Sequence, residues 1–382
     1  MKLGILTFHH SLNYGAMLQA KCLSNYLESL GHEVEFVDYN PPHVEKGASF
    51  KSLLIPKPTK SYLKSIYLYY TDFRAKYKYN LLYDKFQAFR EQALSLSPFS
   101  FTSLNELRIN SKIYDVIFLG SDQIWNPSDQ FGLDPVYFGK HISAISKSIA
   151  SYAPSFGSIE RISKYSNLFP EILDNIDLLS IREKSGRDFL ASMNIKSEVV
   201  PDPTFLDKNF ANYAIMPTEI STTRPYFFSY ILRDSSYMHS FLRNDFSFID
   251  PNVMHFSAAT PWRRWKKLGQ ELQLSPFEFI GAIKNSKITI SNSFHGVVTS
   301  ILTNTNFIAL SLPGQKAGLS SRIYDILLEL NLLNRFVKPE EIHSNFREIY
   351  DSPIDWNSVN NKINKLFVDG SSFVEKALNH GS

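Results

Sequence analysis

The sequence predicts an α/β protein built from two Rossmann-like domains that face each other across a cleft. Short apolar strand patterns alternate with helical patterns along most of the chain. Such alternation means mostly parallel sheets covered on both faces. The alternation also comes in two series, separated at Pro201-Asp202-Pro203. A chain of 382 residues is too long for one ordinary core, which agrees with two domains.

The first series opens with a βαβ unit. Leu3–Phe8 reads as a strand, His9 to Gly15 as a polar turn, and Ala16–Leu30 as a helix. Ala16, Ala20, Leu23, Leu27 and Leu30 fall on one face of that helix. Gly31 ends it, and Glu33–Tyr39 is the next strand. Further strands are expected at Asp115–Leu119, Ser148–Tyr152, Leu178–Arg182 and Glu198–Val200. These place a first domain over 1–205. The second series runs through strands Tyr226–Leu232 and Val253–Ser257, then helix Pro276–Ser286 and strand Lys287–Ser291. Helix Val297–Thr303, strand Phe307–Leu312 and helix Ile323–Leu330 complete a second domain over 206–340. The tail, 341–382, is expected to be helical from about Pro353 and to pack back on the body.

Two segments stand outside this pattern. The stretch from Pro42 to Pro98, about 42–100 as an insertion, interleaves lysines and arginines with tyrosines. It can be read as a helical hairpin packed on the first domain, or as a basic, aromatic surface for an anionic membrane. The hairpin is preferred, because the apolar face is poorly defined. Pro261-Trp262-Arg263-Arg264-Trp265-Lys266-Lys267 is a second basic-aromatic patch. It suits a sugar face, a lipid phosphate or plain surface.

Composition narrows the function classes. The hydrophobic fraction of 43% is that of a soluble globular protein. A net charge of +3 does not imply a nucleic-acid partner. The single cysteine, Cys22, can form neither an internal disulfide nor a cysteine zinc cluster. The first residues form a strand pattern rather than a signal peptide, and no apolar run spans a bilayer. A cytoplasmic protein is expected, with contact at the inner face of the membrane open through the basic segments.

Four turns at strand ends could carry chemistry. The most informative is Ser291-Asn292-Ser293-Phe294-His295-Gly296, between a buried strand and a helix. Free N–H groups and the positive end of the helix dipole favour an anion there. His295 adds a donor or a proton. Ser and Asn are also ordinary caps, and the histidine could be structural. Lys316 and Arg322 follow one strand later and could return to the same edge. The turn after the first strand carries Asn13, Tyr14 and Gly15, which suit a helix start approached by a ligand or a simple capped turn. In Gly120-Ser121-Asp122-Gln123-Ile124-Trp125-Asn126, Asp122 and Gln123 can bond sugar hydroxyls and Trp125 can stack on a sugar face. Asp122 could also serve as a general base. A capping Ser-Asp pair with a core Trp is the competing reading. Finally, Arg182 at a strand's carboxyl end could grip a carboxylate or phosphate in a two-bond fork, oriented by Glu183, or be a surface ion pair. No HExxH, paired CxxC, Walker A loop or GxGxxG is present, so no metal and no dinucleotide are expected.

Taken together, these turns resemble the polysaccharide pyruvyltransferase family. The segments that carry the resemblance are Thr7-Phe8-His9…Asn13-Tyr14-Gly15-Ala16…Leu18-Gln19, Val116 to Trp125, Tyr152 to Gly157, Ser180 to Gly186, Val200 to Thr204, and Ser291 to Gly296. Their order and spacing over residues 3 to about 335 make it specific. The resemblance implies a fold like GT-B glycosyltransferases. It also implies transfer of the pyruvyl group of phosphoenolpyruvate to two hydroxyls of one sugar, giving a cyclic ketal. Phosphoenolpyruvate would be a co-substrate, with no cofactor and no metal. Arg182 and His295 would be its ligands, joined by Ser293, Gly296, Lys316 and Arg322, and should meet in one cleft. The acceptor, a sugar or lipid-linked oligosaccharide, would lie near Asn13, Tyr14, Asp122, Gln123 and Trp125. His295 and Asp122 are the candidate catalytic groups. Competing readings are a nucleotide-sugar glycosyltransferase of the same fold and a non-catalytic sugar-binding protein.

Overall fold

A computed structural model describes residues 1–41, 77–102, 106, 114–127, 132–220, 224–232, 241, 253–260, 269–312 and 320–381. Most of the 42–98 insertion, the 261–267 patch and Lys316 lie outside them. The chain divides into two compact units. One comprises Met1–Asn80, Gln87–Asp207 and Leu366–Ser382, the other Leu81–Phe86 and Lys208–Lys365.

The first unit is built on a five-stranded sheet in the order β3-β2-β1-β4-β5. Its strands are β1 (Lys2–Leu6), β2 (Glu33–Tyr39), β3 (Leu96–Phe101), β4 (Tyr114–Leu119) and β5 (Ser146–Ser151). Every neighbouring pair is parallel. β4 is buried along nearly its whole length, the continuous apolar run expected of a strand covered on both faces. Helix α1 (Tyr14–Ser29) makes the first crossover. β3 is an addition to the sequence reading, which had placed these residues in the insertion. Its Leu-Ser-Pro-Phe-Ser-Phe carries a proline, which argues against a central strand. At the sheet edge, beyond β2, the missing N–H costs no ladder bond, so the proline is tolerated. Helix α2 (Asn80–Ala93) precedes it. A two-stranded parallel pair, β6 (Ser180–Ile181) with β7 (Glu198–Val199), lies further along, with α3 (Lys184–Ala191) between them.

The second unit has a six-stranded sheet in the order β10-β9-β8-β11-β12-β13. The strands are β8 (Tyr226–Tyr230), β9 (Met254–Ala258), β10 (Gln270–Leu272), β11 (Ile288–Ser291), β12 (Phe307–Leu310) and β13 (Phe336–Val337). All its pairings are parallel too. β10 and β13 have three and two residues, too few to show a periodicity, and the sequence reading missed both. Helices α4 (Pro276–Lys284), α5 (Phe294–Leu302), α6 (Ser321–Glu329) and α7 (Ile342–Asp351) connect or cover the strands. α4 starts with a full capping box between Ser275 and Glu278, with Pro276 in its first turn. Arg335 is fully buried and ties α7 down. Its Nη1 donates to Asn306 Oδ1 at 2.7 Å and to the Ile349 carbonyl at 2.7 Å. Its Nη2 donates to the Ser352 carbonyl. A guanidinium thus satisfies helix-end carbonyls that would otherwise be orphaned.

The tail is one long helix, α8 (Trp356–His380). Its first part belongs to the second unit and residues from Leu366 on belong to the first. There Phe373 packs edge-on against Tyr152 at 6.0 Å and Lys376 pairs with Glu198 at 2.8 Å. No helix among the described residues is long and apolar enough to cross a membrane.

One packing constraint gives a stability prediction. A Cβ on Gly281, in α4, would collide with the backbone of Ile215. Backbone cannot rotate away, so the helix must shift. Gly281→Ala should destabilise the second unit by about 1–3 kcal/mol, the usual scale of overpacking. Chemical denaturation followed by circular dichroism reads this; an unchanged or raised midpoint would show that the approach is not constraining.

Candidate functional site

In an open parallel sheet, ligands bind beyond the strand carboxyl ends, where the crossovers diverge in opposite directions. The first sheet diverges between β1 and β4, and the second between β8 and β11. The turns singled out after Phe8, Leu119 and Ser291 lie at these two points.

In the first unit a polar lattice ties the loops together. Thr7 Oγ1 donates to the Ser121 carbonyl at 3.2 Å. Gln19 Nε2 donates to Thr7 Oγ1 at 3.1 Å, and its Oε1 accepts the Ser121 N–H at 3.1 Å. Ser121 Oγ donates to the Ala153 carbonyl at 2.6 Å. One buried amide, Gln19, thereby fixes both switch-point loops. Asn13 caps α1, its Oδ1 accepting from Gly15 N at 2.9 Å and Ala16 N at 3.4 Å. Tyr14 is buried beside it. Asp122 sits in a left-handed conformation, φ 62°, and its carbonyl accepts the Ser155 N–H at 2.8 Å. Gln123 Oε1 accepts from Asn126 Nδ2 at 2.8 Å.

Trp125 does not have the role expected of it. It is 0% exposed, stacks on Phe138 at 5.1 Å and donates Nε1–H to the Tyr137 carbonyl at 2.8 Å. Phe156 covers it from another side at 5.6 Å. With its ring faces packed and its donor satisfied, it offers no surface to a sugar. Trp125 is a core residue, the alternative the sequence had left open.

Arg182 is likewise not a surface ion pair. Its side chain is 4% exposed. Nε donates to Glu183 Oε1 at 3.1 Å and Nη1 to Asp202 Oδ2 at 2.7 Å. Burial alone would lower the guanidinium pKa. The carboxylates of Glu183, Asp202 and Asp122 outweigh it and hold the value above the ordinary one. Asp202 in turn accepts Thr204 N–H and Oγ1–H through Oδ1, at 3.1 and 2.8 Å. The sequence reading took Pro201-Asp202-Pro203 as a break between the two series and as part of a segment carrying the family resemblance, with no role for Asp202 itself. The aspartate inside it is a partner of Arg182, with Glu183 the other.

In the second unit the β8/β11 crevice is framed by α5. Ser291 Oγ donates across the switch to the Tyr230 carbonyl at 2.7 Å, and Asn292 Oδ1 accepts the Leu232 N–H at 2.8 Å. Ser293 is the N-cap residue, but its side chain makes no cap bond. Its own N–H donates to Ser291 Oγ at 3.0 Å. The start of α5 therefore lacks the usual side-chain acceptor, which leaves room for an external one. Gly296 is required for closeness: a Cβ there would collide with Ser291 Oγ. His295 is 6% exposed, in the first turn, with the Phe294 ring edge-on at 5.1 Å. The Arg322 guanidinium lies over that same Phe294 ring at 5.9 Å. Arg322, 26 residues beyond Gly296 in sequence, is thus brought to the His295 neighbourhood.

A third cluster had no sequence signal. His9 Nε2 lies 2.9 Å and His10 Nε2 2.6 Å from the same oxygen, Asp38 Oδ1. His9 is wholly buried, and the two rings are 4.0 Å apart. Burial would raise the Asp38 carboxyl, but bonds from His10 and His9 hold it well below the usual range. Burial pulls the His10 imidazole down, partly opposed by Asp38. The residues come from the β1 turn and the end of β2, neighbours only through the parallel pairing. His9 stood in a segment that carries the family resemblance, but two adjacent histidines and an aspartate far downstream fit no spacing motif, so the sequence did not join the three. Among the described residues these three form a group with ligand atoms within 4.8 Å of one another.

Comparison with known proteins bears on fold and family. The structure is similar to UDP-N-acetylglucosamine 2-epimerase from Rickettsia bellii, with 10% identity, a TM-score of 0.51, and 100% of this chain and 96% of that chain covered. It is also similar to UDP-GlcNAc 2-epimerase from Methanocaldococcus jannaschii, with 12% identity, a TM-score of 0.49, and 98% and 99% covered. At such identities the likeness concerns the fold alone, two Rossmann-like units of the GT-B-like class. No curated protein matches the sequence. The family model for polysaccharide pyruvyl transferase matches residues 13–312, a span that includes Asp122, Arg182 and His295. The chain belongs to the polysaccharide pyruvyl transferase family.

Proposed function

We propose that this transferase moves the pyruvyl group of phosphoenolpyruvate onto two hydroxyls of one sugar in the biosynthesis of a bacterial surface glycan. The observation that carries the reading is the start of α5. In a member of this family, a helix N-terminus without a side-chain cap lies at a sheet switch point, with His295 in its first turn and Arg322 nearby. Phosphoenolpyruvate carries a carboxylate and a phosphate. It needs backbone donors and cations, which that place supplies. Ser293, His295, Gly296 and Arg322 are the proposed donor ligands, with Lys316 as a further cation. Arg182 is proposed for the donor through the family resemblance, although its Nε and Nη1 bond Glu183 and Asp202. Asn13, Tyr14, Asp122 and Gln123 remain the proposed acceptor contacts. Trp125, packed in the core, is not among them.

The chemistry balances without a redox partner. A proton adds to the methylene carbon of phosphoenolpyruvate, leaving an oxocarbenium-like carbon that still bears phosphate. One sugar hydroxyl attacks that carbon and gives up its proton. The second hydroxyl then displaces phosphate, the carbon–oxygen bond to phosphate breaks, and the ketal closes. One hydroxyl proton is returned to a methyl group and the other leaves with phosphate or solvent. Such a course needs a base for the hydroxyls and donors for the departing phosphate. Asp122 is the proposed base and His295 the proposed donor to phosphate.

The defining experiment offers the enzyme phosphoenolpyruvate or nucleotide sugars with a panel of lipid-linked oligosaccharides, read by mass spectrometry. A pyruvyl mass gain with phosphate release is expected. Release of a nucleoside diphosphate, or acceptor binding with no product, would overturn the reading. His295→Ala should lose about a hundredfold or more in turnover, the scale of a positioned acid–base group. His295→Gln should recover donor binding but little rate; full activity there excludes proton transfer by this residue. Arg182→Lys keeps the charge but loses the planar fork, and its affinity for phosphoenolpyruvate should fall. Unchanged affinity in a folded Arg182→Lys variant would remove Arg182 from the donor ligands.

A further inference from the structure

We propose that His9, His10 and Asp38 form a binding site for one divalent transition cation of the zinc class. The inference does not depend on the pyruvyl reading. His9 and His10 precede the residues that the family model matches.

One ring nitrogen of His9 is fixed by a backbone carbonyl. His9 Nδ1 lies 3.0 Å from the Thr7 carbonyl oxygen, which can only accept, so Nδ1 carries a hydrogen. In neutral His9 the other nitrogen, Nε2, then presents a lone pair. That lone pair faces Asp38 Oδ1 at 2.9 Å, itself an acceptor. Two acceptors approach so closely only with a proton or a metal ion between them. His10 Nε2 converges on the same oxygen at 2.6 Å, rather than on the other oxygen of the carboxylate. His9 is wholly buried and the two rings lie 4.0 Å apart, so the three atoms converge in one small space. One cation shared by the three atoms satisfies all of them at once.

The surroundings fit a metal ligand set. Bound imidazoles usually donate their second N–H to a backbone carbonyl or carboxylate, which fixes the ring. His9 does so through Thr7. The Asp38 N–H donates to Ser97 Oγ at 3.1 Å, and Arg90 Nη1 donates to the His10 carbonyl at 3.3 Å. These bonds hold the ends of both contributing segments. Ligand atoms around a tetrahedral ion lie about 3.4 Å from one another when each is about 2.0–2.2 Å from the ion. The observed 2.9 and 2.6 Å therefore need to open by less than about 1 Å, within the reach of small ring rotations. The side chains of His10 and Asp38 are 15% and 12% exposed, which gives an ion a way in. Two imidazole nitrogens and a carboxylate oxygen suit zinc, iron, cobalt or manganese rather than calcium or magnesium. Three protein ligands leave a coordination position for water or a ligand oxygen.

The test uses the full chain, stripped by dialysis against a chelator and titrated with zinc or cobalt chloride by calorimetry. One equivalent per chain is expected, with a rise in thermal midpoint because only the folded state offers the site. The cobalt complex should show visible absorption. His10→Ala and Asp38→Asn should each lose about a hundredfold or more in affinity, beyond the typical loss of a mere supporting residue. His343→Ala, an exposed histidine of α7, should bind as the parent does. Because His9 is buried and its removal could unfold the unit, the decision rests on His10 and Asp38, each checked by circular dichroism. No saturable binding by the parent, or equal affinity in a folded His10→Ala variant, would overturn the site.

Discussion

Parallel pairing throughout both sheets is the constraint from which the candidate chemistry follows. Parallel strands need crossovers, and crossovers leave every strand end on the same side of the sheet. Where successive crossovers run in opposite directions, no helix covers the gap, and the two flanking loops remain available. In the first unit those loops begin at Thr7 and Gly120, and Gln19 locks them together. In the second they begin at Tyr230 and Ser291, joined by the Ser291 hydroxyl. Buried polar side chains at these places are costly unless fully paired. Here they are paired to backbone, so the loops are set before any ligand arrives.

The sequence showed much of this because strong local signals coincide with it. The β1-α1-β2 unit, β4 and the Ser291–Gly296 turn each combine a periodic apolar run with turn residues. What it could not show arises from pairing across the sheet. β3 was hidden by Pro98, which is harmless only at an edge. β10 and β13 were too short to have a period. Asp38 meets His9 and His10 only because β1 and β2 lie side by side. Asp202 looked like part of a proline break and proved to be the partner of a buried arginine. Trp125 shows the opposite failure: an aromatic in a polar turn invites a ligand-stacking reading, yet its large apolar area is worth most in the core.

Charge separates the two switch points. Around the first stand Asp38, Asp122, Glu183 and Asp202, with Arg182 and the two histidines embedded among them. Carboxylates attract hydroxyls and cations and repel phosphate. The second offers an uncapped helix start and Arg322, which do the reverse. Hydroxyls and cations are therefore favoured at the first switch point, and anions at the second.

That division sharpens the question of Arg182. A guanidinium committed to Glu183 and Asp202, with Asp122 also near, is surrounded by more negative charge than it carries. These carboxylates offset part of its attraction for a phosphate. What the arginine does for them is clear. It makes burial of Glu183 and Asp202 tolerable, since an unpaired buried carboxylate would cost several kcal/mol on the order of a broken buried ion pair. Through Asp202 it fixes the turn at Thr204, where Asp202 accepts both the backbone N–H and the hydroxyl. Arg182 thus organises the buried carboxylates and the turn at Thr204 in the first unit. The family resemblance gives it a part in donor binding. The two differ in what a lysine at this position would change: an organising arginine lost to lysine weakens the unit, whereas a donor ligand lost to lysine weakens phosphoenolpyruvate binding in a unit that is otherwise intact.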